Sequence, residues 1–284
     1  MILLECFNKA VEEILLARLE PVANGAKPDN IDFTIADYDG AIYTLSNLED
    51  RNKLYVSISM KFFDSLKKYG AEELLKREYG EYLRDTALSG QCATLEFDLK
   101  TIGSKDWKEF CKKASYFKRN CFAAVFEAFF DYQETGNVDQ QRAVIPYRDN
   151  ETMYVQASSD RVTVIFSTVF SDPDDVVIGK IFMQALVEVR NNYQRAPQVL
   201  YSHRNPPAEL KGTNAAVGDN IAYITFVLFP RHTSKASRQK TINLIHTLRN
   251  YLHYHIKCGK AYLHTRMRAK SAEFQKILNR AKID

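Results

Sequence analysis

Several things are scarce in this sequence, and each scarcity closes off a class of function. Cysteines number five, at positions 6, 92, 111, 121 and 258, an odd and widely spaced set without a C-x-x-C pair. That spacing speaks against a disulfide framework and predicts buried free thiols. The eleven glycines form neither a Walker-type nor a dinucleotide-binding pattern, and "AAVGDN" (215–220) holds only one, so no phosphate cradle is encoded. No G-x-S-x-G elbow and no cysteine-protease signature surrounds Cys121 or Cys258. Uncharged apolar runs are short, residues 221–230 amounting to about half a membrane span. The opening Met1–Glu5 carries neither a basic segment nor a cleavage-like end. The expectation is a soluble, cytosolic chain without catalytic machinery, metal or cofactor.

What is present begins with 284 residues, 45% of them apolar, enough for a sizeable core divided between two domains of ordinary size. The net charge of +4 conceals an asymmetry. Residues 231–284 hold thirteen Lys and Arg against two acids, so this tail is +11 and everything before it −7. Such a tail calls for an anionic partner: nucleic acid, anionic lipid or an acidic protein surface.

Apolar residues at Leu3, Leu4, Phe7, Val11, Ile14 and Leu15 predict an opening helix. Strands follow at 31–36, 41–45 and 53–59, the first two joined by the hairpin-type turn Asp37-Tyr38-Asp39-Gly40. A helix near 71–79, a strand near 93–99 and a long helix over about 105–132 complete the first half. The second half repeats this order at an offset of about 110 residues, with Tyr154 standing where Tyr43 stood. A helix over 174–193, strands at 198–203 and 220–229 and a very long terminal helix then follow. The fold class expected is α/β (α+β): two tandem related units with mostly antiparallel sheets, 1–137 and 138–284, the second ending in a helix over about 238–281.

Acidic clusters read as structural. Asp172, Pro173, Asp174 and Asp175 make an N-cap and a first turn. Asp37 to Gly40 opens like a calcium loop, yet its twelfth position is Leu48, which cannot close such a site. In "YLHYHIKCGKAYLHTRMRAK" (251–270) helical phase sets His253 and His264 about 16 Å apart and leaves only His255 and Cys258 adjacent, two ligands short of a tetrahedral zinc. The terminal helix is better described by its apolar stripe: Ile245, Leu248, Leu252, Ile256, Leu263, Met267, Phe274 and Leu278. At roughly 65 Å it outruns a unit of about 140 residues, some 35 to 40 Å across. It must overhang, and its distal stripe needs a second chain. Opposite the stripe lies a polar, basic face, Asn243 and Asn250 among it, without the recognition motifs or stacking aromatics of nucleic-acid binders.

Nine stretches carry a resemblance: "MILLE" at the start, "LKREYG" (75–80), "FKRNCFAAVFE" (117–127), "RAVIPYRDNETMYV" (142–155), "DRVTVIFSTVF" (160–170), "DDVVIGKIFMQ" (174–184), "APQVLYSHRNPPAEL" (196–210), "AAVGDNIAYITFVLFPRHT" (215–233) and "TINLIHTLRNYLHYHIKCGKAYLHTRMRAK" (241–270). Together they resemble the family of 34-kilodalton subunits of the actin-related protein 2/3 complex, most densely from Lys118 onward. The resemblance implies a non-enzymatic scaffold of branched actin nucleation in the cytoplasmic actin cytoskeleton, at cortical patches or the leading edge. It implies pairing of the terminal helix with the long helix of the complex's 20-kilodalton subunit, support of the two actin-related proteins, and contact with the mother filament. On that reading Arg231, Lys235, Arg238, Lys240, Arg249, Lys257 and Arg268 are the filament-facing candidates, and the eight stripe residues are the subunit-interface helix. The competing reading is a basic-helix module for anionic lipid or nucleic acid.

Overall fold

The computed structural model describes residues 4–190 and 196–280, the side chains at 189, 190 and 249 excepted. Helix α1 (Lys9–Ala23) is capped by Asn8, whose side chain accepts from the Val11 amide, and buries Val11, Leu15 and Leu19. The opening helix thus begins later than its apolar spacing predicts: Leu4 and Phe7 precede it, and Leu3 lies outside the described residues. Strands β1 (Asp32–Ala36), β2 (Ile42–Ser46), β3 (Lys53–Ser59) and β4 (Ala93–Asp98) form an antiparallel sheet in sequence order, with helices α2 (Phe63–Lys67) and α3 (Ala71–Tyr79) between β3 and β4. In the β1–β2 turn Asp39 takes the left-handed conformation (φ 64°), and Asn150 repeats it (φ 64°) in the corresponding turn of the second half. Asp and Asn tolerate that region better than other side-chain-bearing residues.

The helix expected over 105–132 is two helices, α4 (Trp107–Ser115) and α5 (Phe117–Thr135). The carbonyl of Ser115 accepts from the Asn8 amide at 2.9 Å, so it is withdrawn from the helical ladder and the chain bends at Tyr116. Gly136, at φ 74°, ends α5 in the left-handed cap that glycine favours.

The second half contributes β5 (Ala143–Arg148), β6 (Glu151–Ala157), β7 (Val162–Val169), β8 (Gln198–His203) and β9 (Ile221–Leu228), paired antiparallel in the order β5-β6-β7-β9-β8. Helix α6 (Pro173–Arg190) joins β7 to β8, and α7 (Pro230–Thr233) leads into α8 (Arg238–Arg280). The end predicted for α6, at 193, lies outside the described residues, as does residue 281 at the end of α8. The two halves thus share three meandering strands, a helical crossover, a strand and a terminal helix. The fifth strand of the second sheet, β8, is matched in the first half by a single antiparallel bridge, Leu83 to Leu95.

Two elements carry little sequence signal. Helix α2 is too short for periodicity, and β5 contains Pro146, which is tolerated because β5 is an edge strand with irregular register between Ile145 and Arg148. The correspondence of Tyr43 with Tyr154 fails in three dimensions. Tyr43 enters the main core, whereas Met153 and Val155 do so in the second sheet, and Tyr154 joins a smaller cluster with Ile165, Leu210, Ile221 and Tyr223. A one-residue offset is enough to put it on the other face.

Both sheets close over one continuous core, at whose centre lies α5. Fourteen of its nineteen residues are buried, and it packs against β6 and β7 as well as α2, α3 and α8. It also takes Lys118 into the interior, with its side chain only 3% exposed. The ammonium lies 3.2 Å from Asp39 and 3.5 Å from Asp37, and Asp39 in turn meets Arg148 at 3.5 Å. The network joins α5 to one turn of each sheet. Removing one partner strands buried charge, so Lys118→Met is expected to cost about 3 kcal/mol of unfolding free energy. In denaturant titrations Lys118→Met/Asp39→Asn should cost less than the sum of the single changes; strict additivity would show the network to be unimportant.

Candidate interaction surfaces on the terminal helix

Helix α8 divides into two halves by burial. Ile242, Ile245, Leu252 and Ile256 are buried in the chain's own core, with Leu248 packed against it. Four predicted interface residues, Ile245, Leu248, Leu252 and Ile256, therefore serve intramolecular packing. From 261 to 280 every residue is exposed, a projection of about 30 Å. Leu263 (51% exposed), Met267 (65%), Phe274 (60%) and Leu278 (49%) continue the stripe there, with Tyr262 and Ile277 nearby.

The proximal half is held from two sides. On the α5 side Arg119, itself buried, donates from Nε to Asn243 Oδ1 (2.8 Å) and from Nη2 to the Gln239 side chain (2.7 Å) and carbonyl (3.2 Å). Gln239 donates onward to Glu127 (2.8 Å), which also receives a two-pronged contact from Arg77 (2.9 and 3.1 Å). Burial alone would raise the Glu127 carboxyl; the hydrogen bonds from Arg77 and Gln239 hold it below its ordinary value. Arg238 reaches Asp131 at 2.8 Å and Glu134 at 3.0 Å, and Thr233 donates to Gln133.

On the other side α6 crosses α8. A Cβ on Gly179 would meet Phe170 at 3.1 Å and Ile256 at 3.2 Å, so the absence of a side chain lets the helices approach without displacing either neighbour. Gly259, a candidate for close helix contact, has a roomier environment, with Ile178 at 3.6 Å, and the helix passes through it unbroken. Asp172 accepts from the Asp174 amide as the predicted cap, and the cluster also has a tertiary role. Lys260 bridges Asp172 and Asp175, and Lys257 reaches Asp175 at 2.8 Å. Burial would raise the Asp175 carboxyl, but the two lysines hold it low.

The filament candidates consequently separate. Arg238 is 11% exposed and engaged by α5, and Lys257 is engaged by Asp175. Arg231 stacks over Phe229 and donates to His232. The Arg249 side chain lies outside the described residues. Lys235, Lys240 and Arg268 are exposed and make no ion pair among the described residues. Arg231 lies in α7, Lys235 in the turn that follows and Lys240 in the first turn of α8, whereas Arg268 sits on the overhang, about 42 Å beyond Lys240 along the axis. Sequence reasoning also placed Asn243 and Asn250 on an open basic face; in the fold Asn243 meets Arg119 and Asn250 is buried. The available signal was the polar triple Lys118-Arg119-Asn120 leading into the apolar run that follows it in α5.

The remaining candidates for chemistry are placed for packing. His255 stacks between Phe182 and Tyr251, each ring centre 5.4 Å away. Cys258 is exposed, unlike the buried thiols expected. No group of three or more His, Cys, Asp or Glu side chains is placed to hold a metal among the described residues, and no described helix is long and apolar enough to cross a membrane.

The family model described as the Arp2/3 complex 34 kD subunit, p34-Arc, matches residues 56–284. The chain belongs to that family. It is 36% identical to actin-related protein 2/3 complex subunit 2 of Schizosaccharomyces pombe over 306 aligned positions, covering 100% of this chain and 95% of the relative. It is 37% identical to the protein of the same name from Dictyostelium discoideum, covering 99% and 94%. The family reading made from the quoted stretches therefore stands over the whole chain.

One titratable group in the α5–α8 contact has a consequence for stability. His246 packs against Phe122 at 5.4 Å, and burial, with Lys118 and Arg119 nearby, pushes its pKa down to about 3. The unfolded chain takes up this proton near pH ~6.5, so stability falls as pH drops from there toward 3. His246→Phe should flatten the decline of melting temperature between about pH 6.5 and 4; an unchanged slope would show that His246 does not titrate on unfolding.

Proposed function

We propose that the chain acts as a scaffold subunit of the Arp2/3 complex, non-catalytic, in which the overhang of α8 is the docking element for a second subunit. Family membership makes it a subunit of that complex, with the complex's other subunits as partners and the cytoplasmic actin cytoskeleton as its place of work. The specific partner on this reading is the long helix of the 20-kilodalton subunit. The observation that carries it is the run of twenty exposed residues with Leu263, Met267, Phe274 and Leu278 on one stripe. Most helical stability in proteins comes from packing of an amphipathic face, and burying each of these side chains contributes on the order of 2 kcal/mol. A second amphipathic helix supplies that burial.

The two halves, 1–137 and 138–284, we read as duplicated units forming one base beneath the helix. Of the basic residues, Arg231, Lys235 and Lys240 are the best candidates for the mother filament, being exposed and within ten residues of one another in sequence where the chain enters α8. Arg268 flanks the docking stripe and is assigned to the partner side. Arg238 and Lys257 serve α5 and α6. Attraction between a basic surface and the acidic side of a filament sets orientation and association rate and weakens with salt.

Two sets of variants separate these roles in the assembled complex. Lys235→Glu/Lys240→Glu should leave the subunits co-purifying but reduce actin-filament co-sedimentation several-fold at low salt, with a smaller loss at moderate salt. Leu263→Glu/Phe274→Glu should prevent recovery of the 20-kilodalton subunit. Unchanged pelleting in the first case would move the filament contact elsewhere on the α/β units, and intact assembly in the second would remove the overhang from the interface.

A further inference from the structure

Within the overhang the apolar stripe has one gap. Between Met267 and Phe274 its place is taken by Lys270, which pairs with Glu273 at 2.8 Å, and by Ser271. By helical phase Ser271 lies about 40° from Met267 and about 20° from Leu278, inside the arc that the exposed apolar residues define. It is exposed, and its hydroxyl makes no hydrogen bond among the described residues, unlike that of Thr265, which bonds back to the Ala261 carbonyl. The residues ahead of it form a pattern. Arg266, Arg268 and Lys270 precede Ser271 in the sequence R-x-R-x-x-S, which arginine-directed serine/threonine kinases read by pairing the guanidinium groups with their own carboxylates. Other hydroxyls near arginine lack part of this combination: Thr233 and Thr241 are buried, and Ser234 follows Arg231 but has Phe229 in place of the earlier arginine. Such kinases take their substrate extended. Every residue from 261 to 280 is exposed, so opening a turn around Ser271 costs only local helix stability.

We propose that Ser271 is a phosphorylation site for an arginine-directed kinase in the unassembled chain, and that the phosphate bars docking of the partner helix. In the transfer Ser271 Oγ bonds the γ-phosphorus of ATP as the bond to the bridging oxygen of the β-phosphate breaks. ADP leaves, and the hydroxyl proton passes through the kinase's base to solvent. The product carries a charge of about −1.5 to −2 at neutral pH, set in the arc where Met267 and Leu278 are to be buried. Arg268 and Lys270 screen that charge without making the group apolar. Closing the interface over it means desolvating the phosphate, a cost that apolar contact does not offset. The two events exclude each other: a docked helix covers Ser271, so assembly blocks modification as modification blocks assembly. The overhang thereby gates entry of the chain into its complex. The modification site belongs to this chain alone; its consequence for assembly rests on the docking reading given above.

The test incubates the full-length chain and the assembled complex with ATP and a recombinant kinase selective for R-x-R-x-x-S, and maps phosphate by mass spectrometry. Ser271 should be modified in the free chain, and several-fold more slowly both in Arg266→Ala/Arg268→Ala and in the complex. The phosphorylated chain should lose most of its recovery of the 20-kilodalton subunit, keep its melting curve, and regain recovery after phosphatase treatment. Absence of phosphate at Ser271 in the free chain, equal rates in chain and complex, or full recovery of the partner by the phosphorylated chain each overturns the proposal. A lowered melt in the phosphorylated chain does so too, since lost docking would then reflect damage to the fold. Leu263→Glu/Phe274→Glu, run alongside, separates the causes. Full recovery despite those glutamates removes the docking reading itself, whereas recovery lost with the glutamates and kept with the phosphate removes only the switch at Ser271.

Discussion

The structure depends on burying a helix that carries charge. Helix α5 has neighbours on nearly every side, the situation of an all-apolar segment, yet it holds Lys118 and Arg119 in its first turn and Glu127 about two turns further on. Each is tolerated because a hydrogen-bonding or charged partner meets it: Asp37 and Asp39 for the lysine, Gln239 and Asn243 for the arginine, Arg77 and Gln239 for the glutamate. The partners come from the first sheet's turn, from α3 and from α8. Arg148, reaching Asp39 from the second sheet, completes the set. Desolvated charges are unforgiving of displacement, so this one helix constrains how both sheets and the terminal helix are placed around it.

That constraint explains how a 43-residue helix is held by only half its length. The proximal half is fixed by apolar burial against the core, by the α5 seam and by the Gly179 crossing with α6, whose amino-terminal acids hold Lys257 and Lys260 just where burial ends. Beyond residue 260 the same helix continues without support from its own chain. The division between anchored and projecting halves is therefore set by tertiary contacts rather than by any break in helical sequence, and Gly259 passes through unbent.

Much of this was legible in the sequence. Strand β3, helix α3 and the start of α8 fall where residue patterns put them, because period-two and period-3.6 signals are strong there. The overhang followed from length alone. What escaped notice depended on long-range partners. The bend at Tyr116 arises because Asn8, more than a hundred residues earlier, takes the Ser115 carbonyl. Arg238 and Lys257 look like surface cations in any helical projection, and only the fold brings Asp131, Glu134 and Asp175 to them. Asn243 was placed on an open face for the same reason. The mismatch of Tyr43 and Tyr154 has another cause: sequence offset cannot resolve a single-residue shift, and in a strand that shift exchanges core for opposite face.

The shared core also bears on how such a subunit transmits motion. Reading the chain as two tandem α/β units invites the picture of two bodies hinged at the loop over 136–141. But α5, which belongs to the first half in sequence, packs against β6 and β7 of the second, and Lys118 and Arg148 converge on Asp39 from opposite halves. Opening a hinge there would expose the apolar faces of both and part the buried Asp39 from Arg148. Packed cores of this kind switch between discrete arrangements rather than bending continuously. The expectation from this packing is that the base and the anchored half of α8 move as one body, so that displacement applied at the overhang reaches the sheets as rotation of the whole chain.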